Sequence, residues 1–236
     1  MIETLAALLI AHVVADFVLQ TNGMVATKRQ PLTMALHGVI VLVTVALALG
    51  SVSPWLTALT AAHLIIDALK TYSNRKGIWP FLADQAAHAI TLITLTLSQP
   101  DLWAQGVWAP YPTIPPLMTL AAGLILATRA GGFAVGLLMA PWGEAAPHGL
   151  PGGGRVIGQL ERGLIFLLIL SGQAAGIGFL IAAKSVLRFS ETKDDHRISE
   201  YVIIGTLASV TWAIAVSFAA VVMLSHLSPL GIPDLT

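Results

Sequence analysis

Long apolar runs recur along this chain, near 4–20, 32–50, 54–71, 80–98, 116–140, 156–183 and 201–226. A helix that crosses a bilayer needs roughly 20 mainly apolar residues, so each run is a candidate span. Proline opens several of them, at Pro31, Pro54, Pro80 and the pair Pro115-Pro116. The first helical turn tolerates proline because its N–H would be unpaired there anyway. No alternation with period two persists, which argues against a closed barrel and leaves helices to span the membrane. The expected fold is an all-α bundle of six to seven transmembrane helices.

Polar residues interrupt the first four runs in a repeated way. His12, His37, His63 and His88 fall in four consecutive runs, and a shift of 51 places lays His12 on His63, Asp16 on Asp67 and His37 on His88. Leu8 and Ala11 also land on Leu59 and Ala62. The pattern predicts a duplicated helical hairpin. Asp84 breaks the repeat, since its counterpart is Thr33. Ionisable groups are costly inside a bilayer, so a repeated set of them marks a site. His12/Asp16, His63/Asp67 and Asp84/His88 are each spaced i, i+4, which puts both members on one helix face.

Charges in the connections predict the orientation. Lys28 and Arg29 lie in 21–31, and Lys70, Arg75 and Lys76 follow the third run, whereas 51–53 and 99–113 hold no Lys or Arg. The positive-inside bias then places the first and third connections in the cytoplasm and the N-terminus outside. On this topology all seven His and Asp groups fall within roughly 5–15 Å of the cytoplasmic boundary, at ~1.5 Å of rise per residue. Further on the rule meets a conflict. If 116–140 crosses fully, the basic stretch 184–197, with Lys184, Arg188, Lys193 and Arg197, falls outside. Arg129 sits in the middle of 116–140 and is followed by Gly131 and Gly132. A broken or re-entrant segment is therefore expected there, giving six full spans rather than seven. Two units are expected: 1–98, the duplicated hairpins, and 99–236, a C-terminal transmembrane unit. Within the second, 141–154 reads as a flexible loop rich in proline and glycine.

Composition narrows the chemistry. The chain has 236 residues, of which 56% are hydrophobic and 10% charged, against about 25% charged in a soluble domain. Mean hydropathy is +0.82. A net charge of zero offers nothing to attract nucleic acid. With no cysteine, disulfides, thiolate zinc sites and iron–sulfur clusters are excluded. Met1-Ile2-Glu3 lacks the basic start of a signal peptide, so the first run is expected to remain as a span.

Four imidazoles and three carboxylates exceed what one tetrahedral zinc requires. They suit a two-metal centre, or one metal with supporting groups, and their N/O character fits zinc, manganese or iron. The candidate ligands are His12, His37, His63, His88, Asp16, Asp67 and Asp84, the three aspartates also being candidate general bases. The same groups suit a proton or cation pathway, or a buried polar network that only locks helices together. Axial ligation of a b-type haem also stays open, although paired aspartates would set negative charge against an apolar macrocycle. Arg129, Glu161 and Arg162 are candidate substrate-binding residues in the second half. Gln20, Asn22 and Gln85 flank the cluster and read as helix-end caps; His148, His196 and His226 read as surface histidines. Gly172 and Gly176, with Ala175 and Gly178, form a stripe of small residues suited to close helix packing.

These residues resemble a family. The run His12-x-x-x-Asp16-Phe17-x-x-Gln20, with Lys28, His37-Gly38, His63-x-x-x-Asp67-x-x-Lys70 and Asp84-Gln85-x-x-His88, is similar to bacterial multi-pass membrane proteins grouped as domain of unknown function 3307. Gly158-x-Leu160-Glu161-Arg162, Lys184-Ser185-x-x-Arg188-Phe189 and Glu200-Tyr201-x-Ile203-Ile204-Gly205-Thr206 also resemble it. The resemblance implies a bacterial inner (plasma) membrane protein and supplies no activity. A looser likeness of His-x-x-x-Asp helices to membrane-bound metal-dependent hydrolases is analogy.

The resulting expectation is a membrane-embedded metal-dependent hydrolase, working on a lipid or lipid-linked substrate at the cytoplasmic leaflet. A transporter or proton-coupled channel is the alternative, and an accessory subunit with a structural polar layer is the third. Membrane lipid is the expected partner; a homo-oligomer or a larger membrane complex stays open.

Overall fold

The computed structural model describes residues 1–145, 150–192 and 196–230. Among these residues every regular element is helical. They form two compact units, Met1–Ile125 with the described residues from Val222 onward, and Leu126–Val221. The first unit thus takes in 99–125 as well as the duplicated hairpins.

In the first unit α1 (Ile2–Val14) ends in a π turn at Ala15–Leu19, and a short α2 (Asn22–Ala26) follows. Then come α3 (Pro31–Leu49), α4 (Pro54–Tyr72), α5 (Ile78–Ser98) and α6 (Ile114–Ile125). Pro31 and Pro54 open α3 and α4 as their positions predict. Ser53 caps α4 by accepting from the Trp55 N–H. Gly50, at φ 63, closes α3 in the left-handed conformation that favours glycine. Ala7, Ala11 and Ala15 bring α1 into close contact with its neighbours, in a core with Val41, Val45 and Leu49 of α3, Leu56 and Leu59 of α4, and Leu92 and Leu95 of α5. Small residues permit such approach where lipid supplies no hydrophobic drive between helices. The connection 99–113 folds over the ends of α1 and α3. Thr4 donates to the Pro100 carbonyl at 2.7 Å, and the Trp108 indole N–H donates to the Leu47 carbonyl at 2.8 Å.

In the second unit a π turn (Leu126–Ala130) leads to α7 (Gly131–Met139), a 3-10 segment (Ala140–Ala145), α8 (Gly153–Leu170), α9 (Ala175–Thr192) and α10 (His196–Leu224). Ile165 and Ile169 of α8 pack with Ile177 of α9 and Ala213 of α10.

Two sequence expectations change here. The run 156–183 is not one helix: α8 stops at Leu170 and the chain turns through Gly172 at φ 71. Gly172 serves the turn rather than a packing stripe, while Gly176 does allow close approach, since a Cβ there would lie 3.0 Å from Leu168 Cδ2. Lys184 of α9 pairs with Glu161 of α8 at 2.7 Å, so the two helices form an antiparallel hairpin. At 116–140 the chain is helical on both sides of a π turn, where Arg129 stands. Of the expected loop 141–154, residues 146–149 lie outside the described residues, and His148 with them.

Among the described residues, four helical stretches are long and apolar enough to cross a membrane: Ile2–Leu19, Pro31–Leu49, Ile114–Glu144 and His196–Leu224. At 19 and 21 residues, α4 and α5 match them in length. Their polar residues, His63, Asp67 and Lys70 on one and Asp84, Gln85 and His88 on the other, lower their hydropathy.

Candidate metal centre

The i, i+4 spacing presents His63 and Asp67 on one face of α4, and Asp84 and His88 on one face of α5. His12 lies on the last turn of α1 and Asp16 in the π turn beyond it. Such wide turns are rare and concentrate at functional sites. His37 enters from α3 and is fully buried. The first unit therefore brings all seven predicted groups into one buried cluster.

Its centre is shared between the two copies of the repeat. Asp16 Oδ1 lies 3.2 Å from His63 Nε2 and 3.4 Å from His37 Nε2. Asp67 Oδ2 lies 3.1 Å from His37 Nε2 and 3.5 Å from His63 Nε2. These two imidazoles meet at 3.1 Å between their Nε2 atoms, so one donates and the other accepts. The His63 and His88 rings stand 4.1 Å apart between centroids, and His12 and His88 4.9 Å.

Several of these atoms are buried without a hydrogen bond. They include His12 Nδ1, His37 Nδ1, His88 Nε2, Asp16 Oδ1, Asp67 Oδ2 and Asp84 Oδ1. Buried nitrogen and oxygen atoms without a hydrogen bond are groups that a cation could satisfy. Three groups bring their ligand atoms within 4.8 Å of one another: His12/His63/His88, Asp16/His37/His63 and Asp67/Asp84/His88. The donor set fits a borderline divalent ion such as zinc, manganese or iron. A small cavity adjoins His12, His63 and His88, walled by Leu8, Val41, Val45, Leu59, Thr91 and Leu92.

Two lysines belong to the cluster, although the sequence offered them only as orientation signals and as members of the family-like motif. Lys28 donates to Asp67 Oδ1 at 2.7 Å, and Lys70 donates to Asp84 Oδ2 at 2.6 Å. Gln85 donates to the same Asp84 oxygen at 3.0 Å, a contact beyond helix capping. Their positions one turn past Asp67 or inside a polar connection gave little signal. Lys70 follows Asp67 by three residues but pairs across to α5, a choice that depends on how α4 packs.

Arg129, Glu161 and Arg162 lie in the second unit. Arg162 is 3% exposed and its guanidinium is spent on protein acceptors. Its Nε donates to the Ala127 carbonyl and its Nη2 to the Thr128 carbonyl, both at 2.9 Å, and its Nη1 donates to Ser209 Oγ at 3.0 Å. Trp212 Nε1 donates to the neighbouring Leu126 carbonyl at 2.9 Å. Arg162 and Trp212 thus fasten the π turn, while Glu161 holds Lys184. The exposed His196 fits its surface reading.

Fold and site together define an all-helical chain, with four helices able by length and composition to cross a membrane, built around a buried His/Asp cluster able to hold a metal ion. The family described as Protein of unknown function (DUF3307) matches residues 4–108, and this part of the chain is a domain of that family. The match contains every residue of the cluster and ends before Gly158–Thr206. No curated protein and no solved structure matches the chain.

Proposed function

We propose that the chain is a membrane-embedded metal-dependent hydrolase acting on a lipid or lipid-linked substrate at the cytoplasmic leaflet. The convergence of buried, unbonded nitrogen and oxygen atoms carries this reading. His12, His63 and His88 are the ligands, since one small, mostly apolar cavity with space for about one water adjoins all three. A bound divalent ion acidifies a water and so supplies hydroxide near neutral pH.

Charge supports one ion rather than two. Three carboxylates face two ammonium groups, which leaves a single negative charge when the imidazoles are neutral. One divalent ion with its acidified water balances that charge; two ions exceed it. Asp16 is the only carboxylate of the cluster without a lysine among the described residues, and it is the general base. Asp67 and Asp84 hold the lysines, and His37 orients His63 through their Nε2 contact.

Orientation agrees with this placement. With α8 and α9 as a hairpin, the chain returns to the side it left. Ile114–Glu144 then crosses fully, the basic stretch 184–197 stays cytoplasmic, and the conflict in the positive-inside pattern disappears. The result is six spans, formed by α1, α3, α4, α5, Ile114–Glu144 and α10. The family resemblance supports a bacterial inner membrane.

Metal analysis of the detergent-purified chain tests the proposal. One equivalent of zinc, manganese or iron is expected, lost in His63→Ala. In Asp16→Asn the metal stays, and hydrolysis of a suitable substrate falls about 10²–10⁴-fold. Folded protein that takes up no metal overturns it.

The direct contact between His37 and His63, with His88 and His12 stacked beyond, favours a second reading as a proton or cation relay. Ion flux in liposomes, abolished by Asp67→Asn, would support it.

A further inference from the structure

Segments 20–31 and 70–80 carry Lys28, Arg29, Lys70, Arg75 and Lys76 and contain no acidic residue. Positive-inside bias explains such charge, but it does not explain how the two segments are fastened together. Arg29 Nη2 donates to the Thr71 carbonyl at 3.5 Å and also to Asn74 Oδ1, while the Tyr72 hydroxyl donates to the Arg29 carbonyl at 3.3 Å. Asn74 takes φ 56, the one non-glycine residue with positive φ among those described. Asparagine tolerates that conformation better than most residues. The two connections therefore form one basic surface rather than two separate loops.

This surface stands over the metal centre. Lys28 and Lys70 reach inward from it to Asp67 and Asp84. Once those pairs are made, Arg75 and Lys76 remain beside Arg29, whose Nη2 is engaged by Thr71 and Asn74; all three are exposed, with no carboxylate in either segment. At the head of the first segment, one turn beyond Asp16, Gln20 Nε2 is a buried donor with no acceptor. Clustered guanidinium and ammonium groups are the chemistry that recognises phosphate.

We propose that this rim is a phosphate-binding site, selecting phosphate-bearing lipids for the centre beneath it. The lipid selectivity rests on the hydrolase reading; phosphate binding does not. Arg129 and Arg162 have no part in it.

The test uses the full chain in zwitterionic detergent, titrated with dioctanoyl phosphatidic acid, inorganic phosphate or dioctanoylglycerol, with bound metal measured in parallel. Saturable binding of the phosphatidic acid is expected, with none of the dioctanoylglycerol. Affinity should fall at least tenfold in Arg75→Gln/Lys76→Gln, whose side chains are exposed. Arg29→Lys, which keeps the charge, should lose less than Arg29→Gln. Binding of inorganic phosphate as tightly as phosphatidic acid supports the phosphate site and removes the lipid selectivity. Equal binding of dioctanoylglycerol, or no change in the double variant, overturns the proposal. Phosphate binding by metal-free protein upholds the rim while the hydrolase reading fails; metal uptake without phosphate binding does the reverse.

Discussion

Asp16, Asp67 and Asp84 are one kind of side chain in three circumstances. Asp67 and Asp84 each hold a lysine, whereas Asp16 faces only imidazoles. Removing one partner of a buried pair leaves an uncompensated charge, at a typical cost of about 3 kcal/mol. Lys28→Met should therefore lower stability by about that amount, and adding Asp67→Asn should recover most of it. Unfolding curves in mixed micelles check this; a second substitution that deepens the loss would show the pair is not what was broken. At this scale the sequence showed which residues gather but not which pairs form. Lys70 sits within reach of Asp67 along α4 and yet bonds Asp84, because the packing of α5 brings that carboxylate closer.

Among the elements, glycine positions separate close contact from mere flexibility. A Cβ on Gly106 would overlap the Leu49 carbonyl oxygen, and that backbone has no room to give. Gly106→Ala should lift the 99–113 connection from the end of α3, break the bond from the Val107 N–H to the Gly50 carbonyl, and cost about 2 kcal/mol. At Gly136 a Cβ would meet nothing within 4 Å, so Gly136→Ala should gain about 0.5–1 kcal/mol from helix propensity. Thermal denaturation of the two variants side by side would show opposite shifts in midpoint. The hairpin of α8 and α9 was hidden in the sequence because 156–183 is mostly apolar, and its few polar residues, Glu161, Arg162 and Gln173 among them, do not mark a reversal. Only the turn at Gly172 and the Glu161–Lys184 pair reveal the reversal.

For the whole molecule, that reversal bears on the proposed route through the membrane. Because the chain has no cysteine, single introduced cysteines report sidedness cleanly. Thr27→Cys and Ser73→Cys should label from the cytoplasm, and Ser51→Cys and Gln105→Cys from the opposite side. Gly154→Cys and His196→Cys should label from one and the same side, the cytoplasm. Labelling of those two from opposite faces would restore a single span at 156–183 and sink the hairpin topology.

The order of apolar and polar residues alone determined that this is a helical chain with long apolar segments, and it pointed to a repeated hairpin and to seven His and Asp groups that belong together. Those properties follow from periodicity and from the cost of placing charge in lipid, both of which are local to each helix. Tertiary structure decided the rest: which carboxylates are held by lysine, that Arg162 fastens a π turn, and that 156–183 folds back on itself. Such choices depend on distances between helices, and spacing along a single helix does not encode them.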